Sequence, residues 1–339
     1  MRVGIIGTGA IAEKHAAAYR NLGWEIVACT NKTAERGRKF AETHGTEFVA
    51  TVAELCGHPR VDYVDLCMFP SFRLPAVELS AKYKKHVLVQ KPIAIDLETA
   101  DRMISVSSAA GIQLGVVSQH RYDDSTLFLK RAIAEGRLGR IVQADAYVKW
   151  FRSAEYYSRP IKGSWAVEGG GALINQAIHQ VDLLRWFAGP VQEVFGYWQL
   201  GALHRIQSED VVNALVRYEN GATGVIQAST AIWPGYTERT EIHGTRGTAV
   251  IAGDRLTVWD VRDDSGPAAP VSNNVASGSS DPMAISLDSF ERQFRDFGEA
   301  IRDGRKPAVA GEEGLAALQV VESVYQSCRS GQKVTLDRL

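Results

Sequence analysis

The chain has 339 residues, enough for two domains, and 45% of them are hydrophobic, enough for a large buried core. Its 38 basic and 39 acidic residues nearly cancel, so charge gives no reason to expect nucleic acid or a membrane surface as a partner. The four cysteines are scattered without a CxxC pair or a Cys/His ladder, which argues against a disulfide framework and a metal site. No apolar run reaches the length of a signal sequence or a transmembrane helix, so we expect a soluble, cytoplasmic protein.

The first third of the chain alternates short apolar runs with helical patterns. The predicted strands cover residues 2–7, 25–30, 63–69, 86–90 and 112–118. The predicted helices run from the first turn to residue 22 and then over residues 34–44, 74–84 and 97–110. Strands that alternate with helices indicate right-handed crossovers, so we expect an α/β domain with a doubly wound parallel sheet over residues 1–120.

After about residue 120 the pattern changes to long alternating runs, which are typical of strands with one buried face. These runs cover residues 141–151, 211–219, 221–230, 240–253 and 255–261. Residues 264–281 are predicted to form a loop, and two last helices are predicted over residues 287–302 and 312–327. We expect a second, α+β domain over residues 121–339 with a large, mostly antiparallel open sheet.

The sequence GTGAIA follows the first strand directly and opens the first helix. It matches the G-x-G-x-x-G/A fingerprint of dinucleotide-binding Rossmann domains. Gly7 permits the tight turn, Gly9 lets the backbone approach a pyrophosphate at the helix start, and Ala12 allows close helix–strand packing. The strand–turn–helix context disfavours the alternative, a glycine turn without a ligand. We assign these residues to cofactor binding: Gly7, Gly9, Ala10, Ile11 and Ala12.

The second strand ends in Thr30, Asn31 and Lys32, where an acidic residue would be expected if the protein gripped the ribose 2′-hydroxyl of NAD. A carboxylate there would repel a 2′-phosphate, whereas Asn31, Lys32 and Arg36 can bind one. The sequence therefore favours NADP(H) over NAD(H). The alternative is that Lys32 and Arg36 are only solvated surface residues.

Lys91 follows the fourth predicted strand in the sequence VQKP. Open α/β sheets bind their ligands at this end of the strands, and Pro92 is compatible with a cis peptide bond. A lysine near a bound nicotinamide can polarise a substrate oxygen. The alternative is an ordinary surface lysine in a loop.

The stretch GGGALINQAIHQVD begins with three glycines and continues as a predicted helix. On that helix Asn175, His179 and Asp182 share one face at i, i+4 and i+7, which indicates a half-buried surface that faces a cleft. The glycines can bring the backbone close to a ligand at the helix start. The alternative is a satisfied core histidine, with the glycines serving only tight packing.

Together these segments resemble the Gfo/Idh/MocA oxidoreductases, which include glucose–fructose oxidoreductase and inositol dehydrogenase. The resemblance covers nearly the whole chain and rests on these sequences: GTGAIA, HVLVQKPIA, QHRYDDSTLFLKRAIAEGRLGRI, GGGALINQAIHQVDLLRWFAGP and VVESVYQSCRSGQKVTL. It implies an N-terminal Rossmann domain and a C-terminal domain whose open sheet often forms the oligomer interface. The last helix is expected to pack back near the first domain.

The resemblance also implies roles for single residues. Lys91 is similar to the lysine of the family's E-K-P motif and His179 to its catalytic histidine, and Asn175 completes the expected catalytic set. Further cofactor contacts are expected from Pro70, Gln90, Lys91, Gln119 and Lys162. The expected substrate contacts are Lys91, Arg121, Asn175 and His179. Tyr157 and Trp165 are added because aromatic rings can stack on the apolar face of a sugar, and the alternative is that they are core or interface aromatics.

Two single residues and two short segments depart from the family pattern. The Glu of E-K-P is Gln90 here, and the Asp found four residues before the histidine in many members is Asn175, which cannot act as a base but can orient a hydroxyl. The family's Thr-Pro-x-x-x-His loop reads MFPSFR, whose Phe69 and Arg73 are expected to reshape the cofactor or substrate site. The Trp-Arg pair before the glycines reads Ile-Lys, with Lys162 in the second position.

These features predict an NAD(P)-dependent dehydrogenase or reductase that acts on a CH–OH group of a sugar, glycoside or cyclitol. The N-Q-x-x-H variant resembles members that act at sugar C3. Two alternatives stay open: redox-neutral, NAD-dependent glycoside cleavage, and a non-catalytic cofactor or sugar sensor on the same scaffold. We expect no nucleic acid or membrane partner, and a homo-dimer or homo-tetramer formed through the C-terminal sheet.

Overall fold

The computed structural model describes residues 1–159, 161–272 and 286–337. The chain divides into two compact units, one formed by residues 1–119 and 286–315 and the other by residues 120–285 and 316–339. The segment 286–315, which the sequence placed with the second domain, clusters with the first unit. In the part of the chain that the structure describes, no helix has the length and apolarity needed to span a bilayer.

The first unit contains a six-stranded parallel sheet in the order β3-β2-β1-β4-β5-β6. Its strands are β1 (Arg2–Ile6), β2 (Glu25–Thr30), β3 (Glu47–Phe48), β4 (Tyr63–Leu66), β5 (His86–Val89) and β6 (Leu114–Val116). Its helices include α1 (Ala10–Asn21), α2 (Ala34–His44), α3 (Val52–Gly57), α4 (Arg73–Lys82) and α5 (Leu97–Ala110). This is the strand order of a dinucleotide-binding Rossmann sheet, whose direction of winding reverses between β1 and β4. The predicted doubly wound sheet is confirmed; the sequence prediction missed only the two-residue β3 and the short α3.

The second unit contains an eight-stranded sheet in the order β13-β12-β11-β7-β10-β9-β8-β14. Its strands are β7 (Ile141–Lys149), β8 (Val191–Leu200), β9 (Glu209–Tyr218), β10 (Thr223–Ser229), β11 (Arg239–Gly244), β12 (Gly247–Ala252), β13 (Arg255–Val261) and β14 (Val334–Thr335). All pairs are antiparallel except β7 with β10, so the predicted mostly antiparallel sheet is confirmed.

Three details of this sheet differ from the prediction, the smallest being the two-residue strand β14, which was not predicted. The run over residues 240–253 is a hairpin of two strands, β11 and β12, and not one strand. Strand β8 was missed because its apolar residues do not alternate cleanly around Gly196. A Cβ atom at Gly196 would lie 3.1 Å from the Cys328 sulfur, so the glycine lets a helix pack closely on this strand.

The remaining helices are α6 (Asp124–Ala134), α7 (Trp165–Glu168), α8 (Ile178–Ala188), α9 (Asp288–Asp303) and α10 (Gly311–Ser330). The last two match the predicted C-terminal helices within a few residues. The predicted loop over residues 264–281 lies partly outside the described residues.

Candidate active site

In the first unit, the turn after β1 has the conformation that the glycine fingerprint requires. Gly7 has a φ of +91°, and its N–H donates to the Thr30 carbonyl at 2.9 Å. A Cβ atom at Gly7 would lie 3.0 Å from the main chain of Cys67, so a larger residue would press against the end of β4. Gly7 therefore allows the turn and its close packing at the point where the sheet reverses.

The surface above this turn is open. A Cβ atom at Gly9 would meet no atom of the described residues within 4 Å, and Ala10 is also exposed. Thr8 carries a buried hydroxyl oxygen that has no hydrogen-bond partner among the described residues. Ala12 is fully buried and brings the helix close to the sheet. An open helix start beside an unpaired hydroxyl fits the pyrophosphate of a dinucleotide.

Asn31 links the end of β2 to the glycine turn. Its amide oxygen accepts from the Thr8 N–H at 3.4 Å, and its amide nitrogen donates to the Thr33 carbonyl at 3.0 Å. Lys32 and Arg36 are exposed beside it. These side chains are available at the place where the sequence predicts the adenosine ribose, and the alternative that the two cations are only solvated stays open.

Lys91 is half-buried and directly follows Gln90 at the end of β5, and its peptide bond to Pro92 is cis. The backbone on both sides of Lys91 is held by Arg73, whose guanidinium donates to the carbonyls of Gln90 and Pro92. The same guanidinium donates to the Met68 carbonyl at 2.7 and 3.0 Å. Arg73 thus ties the loop after β4 to the segment that carries Lys91.

Arg73 does not have the role that its charge suggested. It was expected to reshape the cofactor or substrate site as an available cation, but the residue is only 2% exposed and is bound to main-chain carbonyls. Burial lowers the pKa of Arg73 to about 9. Its contribution to the site is therefore to fix the backbone around Lys91.

The other predicted cofactor residues of the first unit lie at the same edge of the sheet. Pro70 is buried at the start of a short 3-10 turn after β4, and Gln119 is buried just after β6. Gln90 is 7% exposed, and its amide oxygen accepts from the Lys91 N–H at 3.2 Å.

In the second unit, two of the three glycines, Gly170 and Gly171, pack against the protein itself. A Cβ atom at Gly171 would lie 1.9 Å from the Glu209 carbonyl oxygen, and one at Gly170 would lie 2.4 Å from the Tyr325 hydroxyl. The Glu209 carboxylate accepts from the N–H groups of Gly171 at 2.7 Å and Leu173 at 2.8 Å, and from the Tyr325 hydroxyl at 2.8 Å. Glu209 thus binds the N–H groups at this helix start, and at Gly170 and Gly171 the structure favours the alternative that the glycines serve tight packing.

The helix after the glycines does not begin as a regular α-helix. Residues Leu173–Ala177 form a π-helical turn, which is rare and is found frequently at functional sites. Asn175 lies in this turn and donates to the Gly170 carbonyl at 3.0 Å. His179 is buried in the first turn of α8. The predicted continuous face of Asn175, His179 and Asp182 is therefore interrupted at its start by a wider turn.

His179 has a second histidine against it. The His120 ring meets the His179 ring edge-on, with centroids 5.0 Å apart, and His120 Nδ1 lies 2.8 Å from the Asp123 carboxylate. Burial lowers the pKa of His120, but the Asp123 carboxylate outweighs burial and raises the pKa above its ordinary value. His120 and Asp123 therefore form a polar pair directly against the His179 ring.

Two predicted cations of this unit are paired with acids. Arg121 donates to both oxygens of Asp182, at 2.7 and 2.5 Å, and both residues are buried. Lys162 donates to Glu168 at 2.6 Å. Burial lowers the pKa of Lys162, but Tyr156 and Glu168 raise it above its ordinary value. Asp182 therefore serves to hold Arg121, and neither cation presents an uncompensated charge.

The two predicted aromatic contacts differ in their surroundings. Tyr157 is half-buried, and its hydroxyl lies 2.9 Å from the Thr230 hydroxyl. Trp165 belongs to an aromatic cluster with Trp198 and Tyr325, at centroid distances of 5.6 and 5.1 Å. Tyr157 thus has a polar neighbour, whereas Trp165 packs in a structural cluster.

Several residues that shape these sites were not expected from the sequence: His120, Asp123, Glu209 and Tyr325. Some signals were readable, such as the Glu and Asp pair at the start of an otherwise apolar strand in SEDVVNALV. Their partners lie far away along the chain; the Glu209–Tyr325 bond spans 116 residues. No local pattern contains that information.

Family models match both parts of the chain. Residues 1–118 match the model described as "Oxidoreductase family, NAD-binding Rossmann fold", and residues 126–250 match "GFO/IDH/MocA C-terminal domain". The chain belongs to the Gfo/Idh/MocA oxidoreductase family. The predicted enzyme class, a dehydrogenase acting on CH–OH groups, is confirmed together with the family.

Relatives within the family align over almost the whole chain. The chain is 28% identical to myo-inositol 2-dehydrogenase of Thermotoga maritima, over 100% of this chain and 99% of the relative. It is 29% identical to 1,5-anhydro-D-fructose reductase of Ensifer adhaerens, over 99% and 98%. The structure of the WlbA dehydrogenase from Bordetella pertussis, in complex with NADH and UDP-GlcNAcA, is 28% identical with a TM-score of 0.90 and covers 100% of this chain and 98% of that one.

These comparisons support NAD(H) binding by the first unit. The expected preference for NADP(H) stays a prediction, as do the individual site residues.

Proposed function

We propose that this protein is a nicotinamide-dependent dehydrogenase or reductase that acts on a secondary alcohol or ketone of a sugar, glycoside or cyclitol. The observation that carries the proposal is the combination of an open helix start at Gly9 with a lysine, Lys91, fixed at the carboxyl end of β5 in a chain of this family. The relatives act on inositol and anhydrofructose by their names, and such polyhydroxylated rings support this substrate class.

The turn of residues 7–12 would hold the cofactor pyrophosphate, with the Thr8 hydroxyl as an additional donor. When bound, the nicotinamide supplies the hydride chemistry. The protein supplies binding and orientation, and it handles the proton.

The proton is assigned to two side chains. In the oxidative direction, His179 accepts the hydroxyl proton of the substrate while Lys91 donates a hydrogen bond to the developing alkoxide. Groups of this kind typically contribute about 10²–10⁴-fold each to the rate. Asn175 orients a neighbouring hydroxyl group, and we assign the reacting carbon to sugar C3 on the resemblance of the N-Q-x-x-H sequence.

The proposed cofactor preference is NADP(H). No carboxylate stands at residues 31–34 directly after β2, and Asn31 is held at the glycine turn with exposed Lys32 and Arg36 beside it. Two cations and an amide can bind a 2′-phosphate, which NAD lacks.

We also propose a homo-oligomer formed through the open sheet of the second unit. Tyr197 on β8 and Leu215 on β9 are 68% and 61% exposed, which is unusual for large apolar residues on a sheet face. Sedimentation of the wild type and of a Leu215→Glu variant would test it, and a wild type that sediments as a monomer would contradict it.

Fluorescence titration with NADH and NADPH, after a check for cofactor that purifies with the protein, tests the function. We expect saturable binding of both with tighter binding of NADPH, followed by turnover with a sugar or cyclitol in a substrate screen. Tighter NADH binding would overturn the proposed preference alone. Binding without turnover on any alcohol or ketone would favour the sensor and contradict the proposed enzyme.

A further inference from the structure

A chain of polar side chains lies buried beneath Lys91 in the first unit. Asp65 is in the middle of β4 and is fully buried, although the rest of that strand is apolar. His15 of α1 is also fully buried, and its Nδ1 lies 2.6 Å from the Asp65 carboxylate. The His15 Nε2 atom lies 2.7 Å from the Gln90 amide nitrogen. The Gln90 amide oxygen accepts from the Lys91 N–H, which connects the chain to the candidate catalytic lysine.

The direction of every hydrogen bond in this series follows from the Lys91 N–H group at one end. The Lys91 N–H can only donate, so the Gln90 side chain must present its oxygen to it. The Gln90 amide nitrogen then faces His15 and donates to Nε2, which must be unprotonated. His15 therefore carries its one proton on Nδ1 and donates it to Asp65. The imidazole is neutral, and Asp65 supplies the single negative charge.

Buried side chains enclose the hydrogen bonds between Asp65, His15 and Gln90 and restrict how these groups can be oriented. The Tyr19 hydroxyl donates to the same Asp65 oxygen at 2.6 Å. The rings of Phe290 and Phe294 pack on the imidazole with centroid distances of 5.4 and 4.8 Å. A buried polar group that loses its hydrogen-bond partner here cannot bind water instead. A substitution that leaves one of these groups unpaired therefore costs free energy.

This arrangement gives a reason for the glutamine in place of the glutamate of the E-K-P motif. A glutamate at position 90 would present a carboxylate to the unprotonated Nε2 of His15, and two acceptors would face each other. Only a doubly protonated imidazole could satisfy carboxylates at both ends. The chain instead has one carboxylate, at Asp65, and a donor, the amide of Gln90, at the opposite end.

We propose that Asp65, His15 and Gln90 are positioning residues for Lys91 and that the neutral His15 is what specifies glutamine at position 90. The inference rests on the proposed role of Lys91 in the reaction. Gln90 holds the Lys91 N–H, while Arg73 holds the carbonyls on either side, so the main chain around the lysine is fixed at three points.

A double-mutant cycle tests the proposal. Gln90→Glu alone leaves two carboxylates facing across the imidazole and lowers kcat about tenfold or more with little change in cofactor Kd. Asp65→Asn alone can present its amide oxygen to His15 Nδ1 and to the Tyr19 hydroxyl, so its effect on kcat is expected to be smaller. The double variant Gln90→Glu/Asp65→Asn reverses the direction of the hydrogen bonds on both sides of His15. The carboxylate introduced at position 90 accepts from the Lys91 N–H and from His15 Nε2, and the amide introduced at position 65 donates to Nδ1 and to the Tyr19 oxygen. The double variant should recover most of the kcat lost in the single variants. The exposed Gln192→Glu change is the control for added charge and should leave kcat unchanged.

Losses that simply add in the double variant would overturn the proposal, as would a Gln90→Glu protein with wild-type kcat. A second measurement uses the folded wild type and needs no turnover. Selective ¹⁵N-histidine NMR should give a neutral His15 with its proton on Nδ1, identified by its absence in a His15→Gln variant. A doubly protonated His15, or one protonated on Nε2, would overturn the assignment. If the wild type turns over no alcohol or ketone, the function of Lys91 fails, and the NMR result still decides the hydrogen-bond chain separately.

Discussion

Two helices of this protein begin at glycine-rich turns, and the two turns differ in what lies against them. Above Gly9, a side chain would meet open space, and the neighbouring Thr8 hydroxyl has no partner among the described residues. At Gly171, a side chain would collide with the backbone of Glu209, whose carboxylate already binds the N–H groups of this helix start.

Glycine therefore serves opposite purposes at the two places. At the first helix it leaves room for a ligand at the positive end of the helix. At the second it lets the protein place its own carboxylate and a tyrosine there, so the segment that carries Asn175 and His179 is fixed from within. A substitution in the open turn at Gly9 should therefore change cofactor affinity. A substitution in the filled turn at Gly171 should change the free energy of unfolding.

The largest effect is expected for Gly171→Ala. The new methyl group would lie 1.9 Å from a backbone oxygen of β9, which cannot move without breaking the sheet. We expect a loss of at least about 3 kcal/mol in the free energy of unfolding. Denaturant unfolding measures it, with Gly9→Ala as the matched control that should unfold like the wild type. A stable Gly171→Ala protein would mean that the second turn is not filled as described.

The second largest effect is expected from Glu209, which should make the free energy of unfolding depend on pH. Burial raises the pKa of this carboxyl to about 7, although the N–H groups of Leu173 and Gly171 and the Tyr325 hydroxyl oppose the rise. The folded state then holds a proton that the unfolded chain, with its ordinary pKa of 4.5, has released. The contribution of Glu209 to stability is complete below about pH 4.5 and is lost as the pH rises through about 7.

Unfolding of the wild type and of Glu209→Gln between pH 5 and 8 measures this dependence. The wild type should lose up to about 3 kcal/mol relative to the variant over that range. A difference between the two proteins that does not change with pH would show that Glu209 is already ionised in the folded protein at the acid end.

The smallest effect on the fold, and the most specific effect on binding, is expected for Gly9→Ala. Its methyl group meets no atom of the described residues within 4 Å, but it would stand where the pyrophosphate approaches the backbone. We expect cofactor Kd to rise about tenfold or more, which is about 1.4 kcal/mol, with the free energy of unfolding unchanged. Unchanged cofactor affinity in a titration would place the pyrophosphate elsewhere.

The sequence allowed the first turn to be predicted because its information is local. A strand, three small residues and a helix lie within about the first 20 positions, and the resulting geometry follows from their order. The two sheets were predicted for the same reason, since the period of apolar residues changes near residue 120.

The second turn could not be predicted, because its partners are remote. Gly171 is bound by a carboxylate 38 residues away, and that carboxylate is bound by Tyr325. Arg73 shows the same limit: its charge suggested a ligand contact, whereas its burial and its bonds to backbone carbonyls make it structural. Asp65 carried a readable signal that the sequence prediction did not use, because a charged residue inside an apolar strand indicates a buried polar partner.

The most direct test of the account is to compare wild type with Lys91→Ala for both cofactor binding and turnover of an accepted sugar or cyclitol. The exposed Lys82→Ala change is the control. We expect Lys91→Ala to bind reduced cofactor with nearly wild-type Kd and to lose about 10²–10⁴-fold in kcat. A Lys91→Ala protein with nearly wild-type kcat would contradict the assignment of this lysine to the reaction.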